Sequence, residues 1–188
     1  MEITETLYVS DRIQWREWLS GHFKSSSEIW LVFPIKSSGE QGISYNDAVE
    51  EALCFGWIDS TAKALDAGHQ VRRFTPRRRG SPYSRLNIER LIRLDSLGLI
   101  HPEIRPSVEE LISRPFEFPE DILDEIRKDK EAWDNFRSFT EGYKRIRIAY
   151  IDDARDRPKE FEKRLSSFIR KTRENTLIRG YGGTDQYY

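Results

Sequence analysis

The run "IWLVFPI", Ile29 to Ile35, leaves this chain few folds to choose from. Its residues are apolar, branched or aromatic with no polar alternation. A strand that is apolar on both faces has to be covered on both faces, so the run reads as the central strand of a sheet. It is also far shorter than the roughly 20 residues a bilayer-spanning helix needs. The expectation is a soluble chain with no membrane insertion.

Two more β-like segments follow, about Gly56 to Leu65 and His69 to Pro76, with "DAG" (Asp66 to Gly68) as a short hairpin loop between them. Pro76 cannot donate a ladder hydrogen bond and ends the second segment. Helices fill the rest. Asp11 caps one that carries Trp15, Trp18, Leu19, His22 and Phe23 on one face. His22 ends that stripe and reads as a packed, hydrogen-bonded side chain. Ser44 or Asn46 caps a second helix with Ala48, Val49, Ala52 and Leu53 turned inward, stopped by Gly56. Ser84 starts a third, bearing Leu91, Ile92 and Leu94 and closed by Gly98, and a short helix spans Pro102 to Ser113. The stiff segment "RPFEFP" is the one internal boundary. Beyond it come helices over Pro119–Lys128 and Lys130–Phe139. A further helix follows Thr140, and a last one starts at Pro158.

The predicted architecture is therefore α+β: a small antiparallel sheet packed with helices on one face, followed by a helical C-terminal module. The expected organisation is residues 1–114 for the α+β domain with the hairpin and an Arg-rich loop, 115–180 for the helical module and 181–188 for a flexible tail.

Charge narrows the function classes. The chain of 188 residues is 34% charged with a formal net charge of −1, which argues against a globally basic nucleic-acid binder and leaves a local basic face open. One cysteine permits no internal disulfide, and no Cys/His cluster has zinc spacing, so no metal and no cofactor is expected. "MEITETLYVS" is acidic and lacks the basic and apolar regions of a secretory signal, so a cytoplasmic location is the default.

Chemistry concentrates between Ala52 and Asn87. Cys54 sits near a helix C-terminus, where the dipole disfavours a thiolate, and reads as packing. Trp57 and Asp59 share one face of the first hairpin strand and could form a ligand wall, or an ordinary strand whose aspartate pairs with an opposing arginine. Arg72, Arg73, Arg77, Arg78, Arg79, Arg85 and Arg90 are offset locally only by Glu89. Guanidinium groups grip phosphate or carboxylate as a fork. Ser81, Ser84 and the first N–H groups of the next helix could complete an anion site. The plain alternative is a solvated basic rim. The Arg/Lys-rich C-terminal stretch interleaves its cations with acids, the pattern of a solvated helix face. No P-loop, GxGxxG or GxSxG pattern is present, and "YGG" near the end is a weak glycine signal.

The segments "YNDAVEEALCFGWIDS", "RRFTPRRRGSPYSRLN" and "YKRIRIAYIDDARDRPKEFEKRLSSFIRKTREN" resemble the YdeI/OmpD-associated family, also labelled bacteriocin-protection proteins, over about Leu7 to Ile178. Tyr83 stands where many members have tryptophan. The resemblance implies a bacterial cytosolic protein with an N-terminal α+β part and a helical C-terminal module. It points to protection against bacteriocins or antimicrobial peptides and to a porin association, and it implies no reaction. It also implies that the family's motif residues fall in the same cluster: Cys54, Gly56, Trp57, Asp59, Phe74, Pro76, Arg77, Arg78, Ser81, Ser84 and Asn87.

The resulting expectation is a binding protein that takes an anionic small molecule or partner group. Trp57 and Phe74 would line the site, Asp59 would orient an arginine or ligand donor, and Arg77 and Arg78 would grip the anion with Ser81, Ser84 and Asn87. The alternatives are a nucleic-acid binder using the 72–90 basic strip and an enzyme of unknown reaction at the same place.

Overall fold

The computed structural model describes residues 2–179. In chain order it holds β1 (Thr6–Tyr8), α1 (Arg12–His22), β2 (Ile29–Pro34), α2 (Tyr45–Cys54), β3 (Trp57–Ala64), β4 (His69–Pro76), α3 (Arg85–Ser96) and α4 (Arg105–Ser113). It continues with α5 (Glu120–Arg127), α6 (Lys130–Ser138), α7 (Glu141–Asp152) and α8 (Pro158–Arg173). The tail expected over 181–188 lies outside the described residues. The chain forms two compact units, one up to Tyr83 with 90–112 and the other 84–89 with 113 onward.

In the first unit the strands run in the order β1-β2-β4-β3. β2 is interior, as its unbroken apolar run requires, and Ile29 to Val32 are all buried. β3 and β4 form the predicted antiparallel hairpin, with a register shift between Asp59 and Ala62. The sheet is mixed rather than antiparallel, because β1 pairs parallel with β2, Thr6 to Trp30 and Tyr8 to Val32. The crossover is α1, the kind of connection a parallel neighbour needs.

The two faces of the sheet differ. Ile29, Leu31, Trp57 and Phe74 look toward α1 and α2 and join Trp15, Leu19, Val49 and Leu53 in the main core. The opposite face carries a smaller cluster of Trp30, Val32 and Val71, with Ile3 packed against it and the Lys63 ammonium 5.6 Å from the Trp30 ring.

Caps set the helix starts. The Asp11 carboxylate accepts from the N–H groups of Ile13 and Gln14, and the Ser44 hydroxyl from that of Asp47. Gly56 leaves α2 with φ +70, and a Cβ there would come 3.1 Å from Ile104 Cδ1. Both the left-handed backbone and the close neighbour select glycine.

The second unit packs α5 to α8 around Ile122, Ile126, Phe136, Tyr143, Ile148 and Phe168. The Thr140 hydroxyl caps α7, and Pro158 occupies the first turn of α8. Asn135 closes the other end of α8, its amide donating to the carbonyls of Thr172 (3.0 Å) and Arg173 (3.1 Å). The chain then returns over α7, where the Ile178 N–H donates to the Tyr143 hydroxyl at 3.1 Å. Among the described residues, no helix is long and apolar enough to cross a membrane.

Candidate functional site

The Arg-rich loop is held by its own first arginine. At the end of the hairpin the Arg77 N–H donates to the Gly56 carbonyl at 2.9 Å. The Arg77 side chain then folds back, its guanidinium carbon 3.6 Å from the centre of the Tyr83 ring. It donates to the carbonyl of Ser81 at 3.3 Å and to that of Pro82. Its Nε is buried without a hydrogen-bond partner. Within this clasp the backbone turns tightly, with the Ser81 N–H 3.2 Å from the Arg78 carbonyl and Gly80 at φ +79. The turn presents Arg78 and Arg79 to solvent. Among the described residues neither makes an ion pair or a side-chain hydrogen bond.

Asp59 sits in a closed group. Its Oδ2 accepts from Arg72 Nη1 and from the Tyr45 hydroxyl, each at 2.9 Å, and the Arg72 guanidinium lies 4.4 Å from the Tyr45 ring centre. The Tyr45 phenol is pushed up, first by burial and then by the Asp59 charge. This is the opposing-arginine arrangement of an ordinary half-buried strand, with a tyrosine added from the start of α2.

Trp57 and Phe74 are core residues, 1% and 0% exposed. The Trp57 indole donates to the Phe23 carbonyl at 3.1 Å and meets Trp18 edge-on, while Phe74 meets Trp15 edge-on. Ser81 lends its carbonyl to the Arg77 clasp. Ser84 accepts the Asn87 N–H at 3.3 Å at the start of α3, and both belong to the second unit. The expected site residues thus occupy three settings: core, ion-paired strand and exposed turn.

The rest of the basic strip is engaged. Arg73 Nε donates to Glu28 at 2.7 Å, Arg85 Nε to Glu89 at 2.8 Å and Arg90 Nη2 to Asn46 at 3.0 Å. Several C-terminal arginines are engaged too: Arg145 forks onto Glu89, Arg155 onto Asp121, and Arg164 reaches Glu160.

One polar cluster escaped the sequence reading. Glu50 and Glu51 on α2 are 1% and 2% exposed, in a helix whose residues 48–54 are all buried. Arg12 reaches Glu51 (2.6 Å), Glu50 (3.6 Å) and Asp47 (3.1 Å), and Arg16 reaches Glu51 (2.6 Å) and the Leu99 carbonyl (2.6 Å). Arg93 lies 3.9 Å from Glu50. The available signal was Arg12 and Arg16, spaced i, i+4 on α1 beside a helix too apolar to leave two acids in water. Beside this cluster lies an open cleft of about 470 Å³, with Phe55 and His101 also in its walls. The cations there are already matched by acids, so the cluster reads as a neutral brace between helices. Cys54 is buried next to it, and its thiol is pushed up to about 12 by burial and by Glu51. Among the described residues, no group of His, Cys, Asp or Glu is placed to hold a metal ion.

Residues 7–106 match the family model of a domain of unknown function (DUF8412). Residues 115–175 match the family described as Bacteriocin-protection, YdeI or OmpD-Associated. The stretches "ALCFGWIDS" and "FTPRRRGSPYSRLN" therefore lie in the first of these regions. No curated protein and no solved structure matches the chain.

Proposed function

This chain belongs to the family of that domain of unknown function and carries the Bacteriocin-protection, YdeI or OmpD-Associated region on its C-terminal side, and we propose that its first unit binds an anionic group through Arg78 and Arg79. One observation carries the reading. Arg12, Arg16, Arg72, Arg73, Arg93 and Arg105 have carboxylate partners, Arg77 holds carbonyls and Arg90 holds Asn46. Arg78 and Arg79 stand outside that pattern, side by side on a turn that Arg77 stiffens.

Magnitudes select the ligand. An exposed ion pair is worth roughly 0.2–1 kcal/mol, while even millimolar affinity requires about 4 kcal/mol. A monovalent ion on either arginine alone would not be retained. A polyvalent anion, with oxygens for two guanidinium forks and for the backbone of the turn, fits better. The reading keeps the protein in the bacterial cytoplasm and leaves Asp59, bound to Arg72 and Tyr45, as a support of the strand. It would connect to bacteriocin protection if the bound anion belonged to a partner in that process.

The test is a titration of the full chain with pyrophosphate and citrate, followed by backbone amide shifts. Saturable shifts at residues 77–83 that vanish in an Arg78→Ala/Arg79→Ala double variant support the reading. Unchanged affinity in that variant sinks it. Tighter binding of a short oligonucleotide, lost steeply with salt, would transfer the function to nucleic acid.

A further inference from the structure

The turn that presents Arg78 and Arg79 also carries a serine whose hydroxyl the fold does not use. The chain there reads Arg77-Arg78-Arg79-Gly80-Ser81-Pro82. Nearby seryl hydroxyls have structural duties: Ser60 donates to the Arg73 carbonyl at 3.4 Å, and Ser84 accepts the Asn87 N–H at 3.3 Å. Ser81 gives the turn its backbone alone. Its carbonyl accepts from Arg77, and its N–H lies 3.2 Å from the Arg78 carbonyl. Among the described residues its hydroxyl makes no hydrogen bond, and the residue is only half-buried. The turn has open space beside it. Gly80 is exposed, and a Cβ there would meet no atom within 4 Å.

This arrangement suits a charge-reading enzyme and then holds its product. Protein kinases select substrates partly by charge pattern, and arginines two and three residues before a serine match a kinase with an acidic substrate groove. Arg78 and Arg79 hold those two places, both exposed and without an ion pair among the described residues. A phosphoserine carries about −1.5 to −2 charges at pH 7 with three acceptor oxygens, and opposite an arginine cluster it gains roughly one to three charge-assisted hydrogen bonds. The Ser81–Arg78 backbone bond turns Ser81 back toward these arginines. A phosphate tethered so closely has an effective concentration of roughly millimolar or more, enough to compete with a weakly held free anion.

We propose that Ser81 is phosphorylated by an arginine-directed serine/threonine kinase, and that Arg78 and Arg79 then hold the attached phosphate, filling the anion site of the turn from within. In the transfer the Ser81 Oγ bonds to the γ-phosphorus of ATP as the bond from that phosphorus to the bridging oxygen breaks. The hydroxyl proton passes to the kinase's base, and ADP departs. The modification stands on the two arginines and the unused hydroxyl, while its effect as an off-switch rests on the anion-binding reading above.

The full chain is incubated with MgATP and an arginine-directed kinase, the catalytic subunit of the cyclic-AMP-dependent enzyme, and the product is mapped by mass spectrometry. One phosphate should appear on Ser81 and none at that position in Ser81→Ala, and transfer to Arg78→Ala/Arg79→Ala should be about tenfold slower or worse. No transfer to Ser81 in the folded chain, or transfer indifferent to the two arginines, would overturn the proposal. On the modified chain a phosphorus NMR titration should place the second phosphate pKa below its ordinary value of about 6. A value at or above that would show that the arginines do not hold the phosphate. Pyrophosphate should bind the modified chain about tenfold more weakly than the unmodified one. Equal binding to both would sink the off-switch and leave the anion-binding reading standing. Failure of pyrophosphate to bind the unmodified chain would sink that reading, and transfer to Ser81 with a lowered phosphate pKa would still support the modification.

Discussion

The Arg77 guanidinium lies against the Tyr83 ring at 3.6 Å and, from that position, ties the Ser81 and Pro82 carbonyls into one clasp. The arginine nearest the hairpin is thereby a structural member of its own loop, and the two that follow it are the ones presented to solvent.

Arg77→Ala should open that clasp. A partly desolvated cation–π contact and a charged hydrogen bond are worth roughly 2–4 kcal/mol together. Denaturant unfolding should show a loss of about that size. Limited trypsin digestion should cut faster after Arg78 and Arg79. An unchanged cleavage rate would mean that the turn is rigid without Arg77.

Glu51 should behave as the centre of the helix brace. Glu51→Gln leaves the Arg12 and Arg16 charges facing a neutral amide. Removing one partner of a fully buried pair costs roughly 3–5 kcal/mol, and the arginines here are about one-third exposed, so about 2–3 kcal/mol is expected after solvent screening. Urea unfolding measures it, and a loss below about 0.5 kcal/mol would place the acid in ordinary surface company.

His69 gives the hairpin a pH dependence. Its Nε2 lies 3.1 Å from Glu40 and its Nδ1 2.8 Å from Asp66, and these hydrogen bonds, Glu40 first, raise its pKa. A histidine raised in the folded state adds stability that is fully present below its unfolded value of about 6.5. That contribution is lost as pH rises through the raised folded value. An NMR titration should place the His69 midpoint above the unfolded one, and Glu40→Gln should lower it. A midpoint at or below the unfolded value would refute the arrangement.

Cys54 should be inert in the native protein. With the thiol pushed up to about 12 and the side chain wholly buried, almost no thiolate is exposed near neutral pH. Iodoacetamide should leave it unmodified until the chain unfolds, as mass spectrometry would show. Rapid alkylation of the folded protein would revive a nucleophilic role.

Much of the framework was legible because local patterns had one physical outcome. Ile29–Pro34 is apolar on both faces and becomes the covered strand β2, while "DAG" sits between β3 and β4 where it closes the hairpin. Asp11, Ser44 and Thr140 supply the cap oxygens for α1, α2 and α7. β1 was not legible, since a three-residue segment becomes a strand only through the hydrogen bonds that Trp30 to Val32 offer it.

The same division runs through the functional residues. The clustering of arginines after Pro76, the poor placement of Cys54 for reactivity and the pairing option for Asp59 could be read from the chain alone. Which arginine clasps, which pairs and which stays open was decided only in three dimensions. So was the company of Glu50 and Glu51, which Arg12, Arg16 and Arg93 reach from other helices. Periodicity and capping act over a single turn of chain and are written locally. Charge pairing and pocket walls join residues far apart in sequence, and only the packed backbone brings them within reach.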